Sequence, residues 1–255
     1  MPTELTMARH LDGLRTAMIA FVRYADRAGL AAAVPTCPEW TVRELVAHQG
    51  MVHRWAAALV RGEQDVDPDA VEATGRAEPD PLEWLRDGAV DLAAALTRAP
   101  ADLRAPVFLH DAPPAREFWA RRQCHETTVH AVDALAAALG RYPSAEETWI
   151  EADLAADGID ELLGGFVTRP RSRLRCEEDA VLVVDPDDVA DWWRVELGPR
   201  PAVTTRGRGV ADEGDWELDG SAVELYLALW NRGRGPGVGP DLETAWRERA
   251  AVTWS

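Results

Sequence analysis

A chain of 255 residues, 47% of them hydrophobic, is long enough for one large core or two ordinary ones. A formal charge of −17 opposes nucleic acid as a partner, because phosphate backbones are bound by releasing counterions to basic side chains. The sequence has no run of about 18 apolar residues, so no membrane span is expected; Met1-Pro2-Thr3-Glu4-Leu5 has neither the basic nor the apolar segment of a secretory leader, and a cytoplasmic protein is expected.

The first half reads as four amphipathic helices. Residues 4–28 carry Leu5, Leu11, Leu14, Met18, Phe21 and Val22 at helical spacing. A loop over 26–38 leads to Thr41-Val42-Arg43-Glu44, a capping box that opens a helix to about Arg61. Asp80-Pro81-Leu82-Glu83 opens a third helix, with proline at its first position. The fourth runs from about Ala115 to Leu139 and stops at Gly140. Trp40, Trp55 and Trp84 are expected in the core of this bundle. The connections near 29–40 and 62–79 are long enough for a crossover.

The second half changes character. A bridging helix is expected over 146–163. Short strands follow at 180–184, 192–197 and 202–205, then a helix over 221–230, a glycine-rich turn at 232–239 and an apolar end at 251–254. Together these give an α+β protein, with a bundle over 1–145 and a smaller α/β domain over 146–255.

The segment that carries chemistry is Cys124-His125-Glu126-Thr127-Thr128-Val129-His130. His125 and His130 point about 140° apart on a helix, so they do not share an ion. Glu126 and His130 are four apart and about 40° apart in rotation, stacked on one face. Such a pair either holds a metal or is an ordinary surface pair. His48 shares a helical face with Val52 and Trp55, pointing into the bundle, where it is either an ordinary core histidine or a ligand, since facing helices converge on metals there. Two imidazoles and a carboxylate suit zinc, and nickel or iron as well, with a fourth position open. Asp133, one turn past His130, either orients it by a hydrogen bond or lies on the surface. Cys37, Cys124 and Cys176 are widely spaced and read as free thiols rather than a structural zinc set.

Cys37-Pro38-Glu39-Trp40-Thr41-Val42-Arg43-Glu44-Leu45-Val46-Ala47-His48, followed by His53-Arg54-Trp55, resembles the N-terminal signature of mycothiol-dependent maleylpyruvate isomerase-like proteins. The resemblance continues at Glu126–Ala134, at Ala155–Leu163 and at Ala222–Arg232. It implies a DinB-like four-helix bundle and a smaller, sterol-carrier-like C-terminal α/β domain. It also implies a divalent metal on His48, Glu126 and His130, and an arginine late in the C-terminal domain that contributes to activity. Arg232 is the nearest match to that arginine, with Arg234 close by. The implied cofactors are Zn2+ (or another divalent metal such as Ni2+) and mycothiol, the low-molecular-weight thiol of actinobacteria. That source agrees with a chain whose 27 basic residues are all arginine.

The function expected is a metal- and thiol-dependent enzyme, an isomerase or S-transferase acting on a small electrophile, as a monomer or homodimer. A non-catalytic metal-binding or regulatory protein of the same fold, and a hydrolase using metal-bound water, are the alternatives.

Overall fold

The computed structural model describes residues 4–63, 66–109, 112–211, 213–233 and 240–250. Arg234, most of the glycine-rich turn and the 251–254 segment lie outside them. The chain divides into two compact units, one of Thr6–Val107 with Pro113–Pro143, the other of Ser144–Ser255 with the short segments Met1–Leu5 and Phe108–Ala112. No helix among the described residues is long and apolar enough to cross a membrane.

The first unit is a helical bundle built from α1 (Met7–Ala28), α2 (Val42–Arg61), α3 (Pro68–Ala77), α4 (Pro81–Arg98) and α5 (Ala115–Leu139). α1 packs along α5, and α2 packs on α4, α3 and α5. Local chemistry sets most of the ends. Glu44 accepts the Thr41 backbone N–H at 2.6 Å, closing the capping box of α2. Asp80 accepts the Glu83 N–H at 3.0 Å, with Pro81 leading α4. Gly140 ends α5 at φ 69°, a left-handed conformation that costs glycine nothing. The loop expected from Asp26 begins only at Gly29, because α1 keeps its ladder through Ala28. An antiparallel bridge between Ala33 and Thr41 closes that loop and sets Trp40 beside the start of α2.

α3 corrects the 62–79 connection. Asp67 caps it through the Asp69 and Ala70 N–H groups, and Pro68 follows, the same Asp-Pro start as α4. Trp84 wedges the bundle from the side: a Cβ on Gly50 would meet its ring at 2.1 Å and one on Gly75 at 2.5 Å. The Arg54 guanidinium covers the ring at 3.8 Å. Trp84, Trp40 and Trp55 are therefore half-buried rather than core, and the fully buried indole of the bundle is Trp119.

The second unit is α+β. The helix expected over 146–163 is shifted: Ala145–Glu147 is a single 3-10 turn that ends at an extended Thr148, and α6 starts at Ala152. α6 (Ala152–Asp160) runs on into a wide π turn over Glu161–Phe166, where the Thr204 hydroxyl donates to the Leu163 carbonyl at 2.7 Å. A four-stranded sheet follows, β1 (Ala180–Pro186), β2 (Asp191–Leu197), β3 (Val203–Arg208) and β4 (Trp216–Gly220), in the order β3-β2-β1-β4. β1 and β2 pair antiparallel with Leu182 opposite Val195, and β4 lies parallel to β1 with Leu218 opposite Val184. Trp193, Val195 and Leu197 alternate into the core. There the Trp193 indole donates to Asp160 at 3.0 Å. α7 (Ala222–Leu229) packs on α6, and α8 (Pro240–Arg249) anchors through the Trp246 indole on the Leu229 carbonyl at 2.8 Å. β4 and α8 escape the sequence pattern because β4 buries little beyond Leu218 and α8 is mostly polar.

Candidate metal centre

α5 is buried without a break from Phe118 to Ala136, and that stretch includes Arg121, Arg122, Gln123, His125, Glu126, His130 and Asp133. A buried polar side chain costs free energy unless it finds a partner, so a helix this polar and this enclosed has to satisfy its groups internally. Glu126 and His130, one turn apart, bring Glu126 Oε1 to 3.4 Å from His130 Nε2. α2 supplies the third group: buried His48 places Nε2 3.8 Å from the same Oε1. The three ligand atoms lie within 4.8 Å of one another, and the two imidazole rings meet edge-on with centroids 5.2 Å apart.

The chemistry of this triad fits a cation. His48 Nε2 and Glu126 Oε1 are both buried and have no hydrogen-bond partner, an arrangement that costs about 1–3 kcal/mol per atom if nothing relieves it. Two ligands about 2.1 Å from one ion at a tetrahedral angle stand about 3.4 Å apart, close to the spacings found here. Burial alone would push the His48 imidazole down, but the Glu126 and Glu72 carboxylates outweigh it and hold it up at about 9. Burial would likewise raise Glu126; His130, His48 and Arg122 hold it well below the usual carboxylate range. The site thus favours positive charge facing an ionised carboxylate.

Outer contacts hold the members of the triad. Asp133, fully buried, accepts the His130 Nδ1 proton at 2.8 Å, which leaves Nε2 bare toward Glu126. The Cys37 thiol donates to the same Asp133 oxygen at 3.6 Å. Arg122, also fully buried, donates to Glu126 Oε2 at 3.0 Å and so turns Oε1 to the histidines. Farther along α2, His53 Nε2 lies 2.8 Å from the Gln49 amide nitrogen and 2.9 Å from the Thr127 hydroxyl, both able to donate to it. Burial, with Arg54 nearby, holds His53 down at about 3, a neutral imidazole under all ordinary conditions.

His125 turns away from this triad and meets His10 of α1 edge-on, centroids 6.2 Å apart, and Cys124 is buried. Arg232 lies in the second unit just past α7, where its guanidinium donates to the Trp230 carbonyl at 2.9 Å. Three residues near the triad carried no expected role there: Arg122, Glu72 and Trp40. Glu72 sits on α3, with Oε2 3.6 Å from His48 Nδ1. The half-buried Trp40 ring lies 4.9 Å from the His48 ring and 5.9 Å from that of His130. The Asp67-Pro68 start of α3 was the signal that could have placed Glu72 on a helix.

Comparison with known proteins gives two family matches. The mycothiol maleylpyruvate isomerase N-terminal domain matches residues 11–135, and the C-terminal domain of the same family matches residues 153–253. Two solved structures share the fold. One is the mycothiol-dependent maleylpyruvate isomerase, with a TM-score of 0.57 and 18% identity over 92% of this chain and 92% of that one. The other is a histidine-to-alanine mutant of a mycothiol-dependent maleylpyruvate isomerase, with a TM-score of 0.58 and 18% identity over 91% and 92%. No curated protein shows a significant sequence match.

Proposed function

The chain belongs to the mycothiol maleylpyruvate isomerase family, and from that premise we propose that it is a metal- and mycothiol-dependent isomerase of small, activated cis alkenes such as maleylpyruvate. The observation that carries this reading is the convergence of His48, Glu126 and His130 on one buried point, with two of their polar atoms unpartnered.

Two neutral imidazoles and one carboxylate would hold zinc in this site. With a single negative charge among them, a bound divalent ion would keep a net positive charge and would lower the pKa of a coordinated thiol below its free value of about 8.5. The thiol, when bound, would supply a nucleophile for reversible addition to the double bond, which would allow rotation about the resulting single bond.

The protein's own residues prepare that chemistry. Asp133 holds His130 in the tautomer that presents Nε2. Arg122 keeps Glu126 ionised and turned inward. Trp40 walls the histidines with an aromatic face. The family resemblance supports a part in activity for Arg232, whose permanently charged guanidinium suits a carboxylate of the substrate or thiol.

The test is an assay of zinc-loaded protein on maleylpyruvate with and without mycothiol. Thiol-dependent conversion to the trans isomer is the expected result. Net consumption of thiol into a stable thioether would make the protein a transferase, and thiol-independent cleavage of the substrate by water would make it a hydrolase.

A further inference from the structure

We infer that Glu72 is a positioning residue for the metal: from α3 it orients His48 through Nδ1, as Asp133 orients His130 from within α5. The inference deepens the metal-centre reading above and rests on it.

The two histidines are arranged alike. Each turns Nε2 toward Glu126 Oε1 and Nδ1 toward a second carboxylate. For His130 that carboxylate is Asp133 at 2.8 Å. For His48 it is the half-buried Glu72 at 3.6 Å, an ion-pair separation roughly 0.4 Å past hydrogen-bond range. An imidazole that ligates through one nitrogen binds better when the other nitrogen donates to a carboxylate, which fixes the ring and raises its basicity.

Several contacts hold Glu72 in this place. Its Oε1 pairs with Arg76 one turn along, which leaves Oε2 to face His48. Arg43 of α2 donates to the Arg76 carbonyl at 3.1 Å and the Glu78 carbonyl at 3.2 Å, tying down the end of α3. Gly75, without a side chain, lets the Trp84 ring fill the space against the same helix. A short helix with one buried residue, Gly75, is thus pinned at its far end while its middle presents a carboxylate to the site.

The test is zinc affinity, measured on the full chain by competition with a chromogenic chelator, for wild type, Glu72→Gln, Glu72→Ala and His48→Ala. The melting temperature of each zinc-free protein is recorded beside it. Glu72→Ala is expected to bind zinc about 10- to 100-fold more weakly. Glu72→Gln, which keeps an acceptor but not the charge, should lose less, and both should melt with wild type when zinc-free. Affinity within twofold of wild type in Glu72→Ala overturns the inference. So does a loss accompanied by a lower zinc-free melting temperature in Glu72→Gln, because that marks a scaffold role. Zinc binding that disappears in His48→Ala upholds the triad whatever Glu72 does. Equal binding in wild type and His48→Ala would sink the triad and this proposal together.

Discussion

Asp133 Oδ2 stands 2.8 Å from His130 Nδ1, and both side chains are buried. With Nδ1 donating to that carboxylate, Nε2 is left to face Glu126. Asp133→Asn keeps the shape but exchanges the charged acceptor for an amide. Zinc affinity should fall about 10- to 100-fold, while His48, Glu126 and His130 still allow full occupancy at excess metal. Unchanged affinity in a folded Asp133→Asn protein would remove Asp133 from the centre.

About one divalent metal per chain is expected by elemental analysis, and none after His48→Ala, Glu126→Ala or His130→Ala. Glu126→Ala carries a second cost, because it removes one charged partner of the fully buried Arg122. Breaking a buried ion pair from one side costs about 3–5 kcal/mol. That variant should therefore also melt lower, whereas His48→Ala should not lose as much. Full occupancy in His48→Ala would rule out the three-ligand site.

His53 gives a pH dependence with a definite sign. It is held down at about 3 in the folded protein by burial and Arg54, against about 6.5 when free. Below about pH 6.5 the unfolded chain takes up a proton that the folded chain refuses, so stability falls as pH falls. The slope from this group is about 1.4 kcal/mol per pH unit down to about pH 3, with no contribution above pH 7. Urea unfolding of chelator-treated wild type and His53→Gln at pH 7, 6 and 5 should therefore show their stabilities converging as pH drops. Parallel curves would mean that His53 takes up its proton as readily in the folded chain as in the unfolded one.

Activity should require added thiol and survive combined replacement of the protein's cysteines. Cys37 donates to Asp133, so Cys37→Ser, whose hydroxyl also donates, is the appropriate change there. Cys124 is fully buried, and Cys124→Ala avoids burying a hydroxyl. Cys176→Ser completes the variant. If this protein folds and binds zinc yet turns over nothing with thiol present, one of the three is part of the chemistry.

Arg232→Ala should leave metal content intact and lower kcat/KM by about 10- to 100-fold, the loss of roughly 1.5–3 kcal/mol of charge-assisted binding. Arg234→Ala is the control. Unchanged kcat/KM in Arg232→Ala would remove that arginine from the site.

What the sequence determined by itself is what depends on near neighbours. The Thr41–Glu44 box, the Asp80-Pro81 start and Gly140 each act within one turn of helix, and the ends of α2, α4 and α5 follow from them. The Glu126–His130 pair is local in the same sense, set by the helical repeat alone. Only the tertiary structure decided which groups meet that pair. His48 reaches Glu126 because α2 packs against α5, and Asp133 proves buried rather than exposed because α5 is enclosed on every side. Arg122 and Glu72 had no pattern to mark them: an arginine one turn before a glutamate, or a glutamate on a short polar helix, has the spacing of an ordinary surface pair. What sets them apart is burial beside the histidines, which removes water as a competing partner and strengthens the charge interactions that remain.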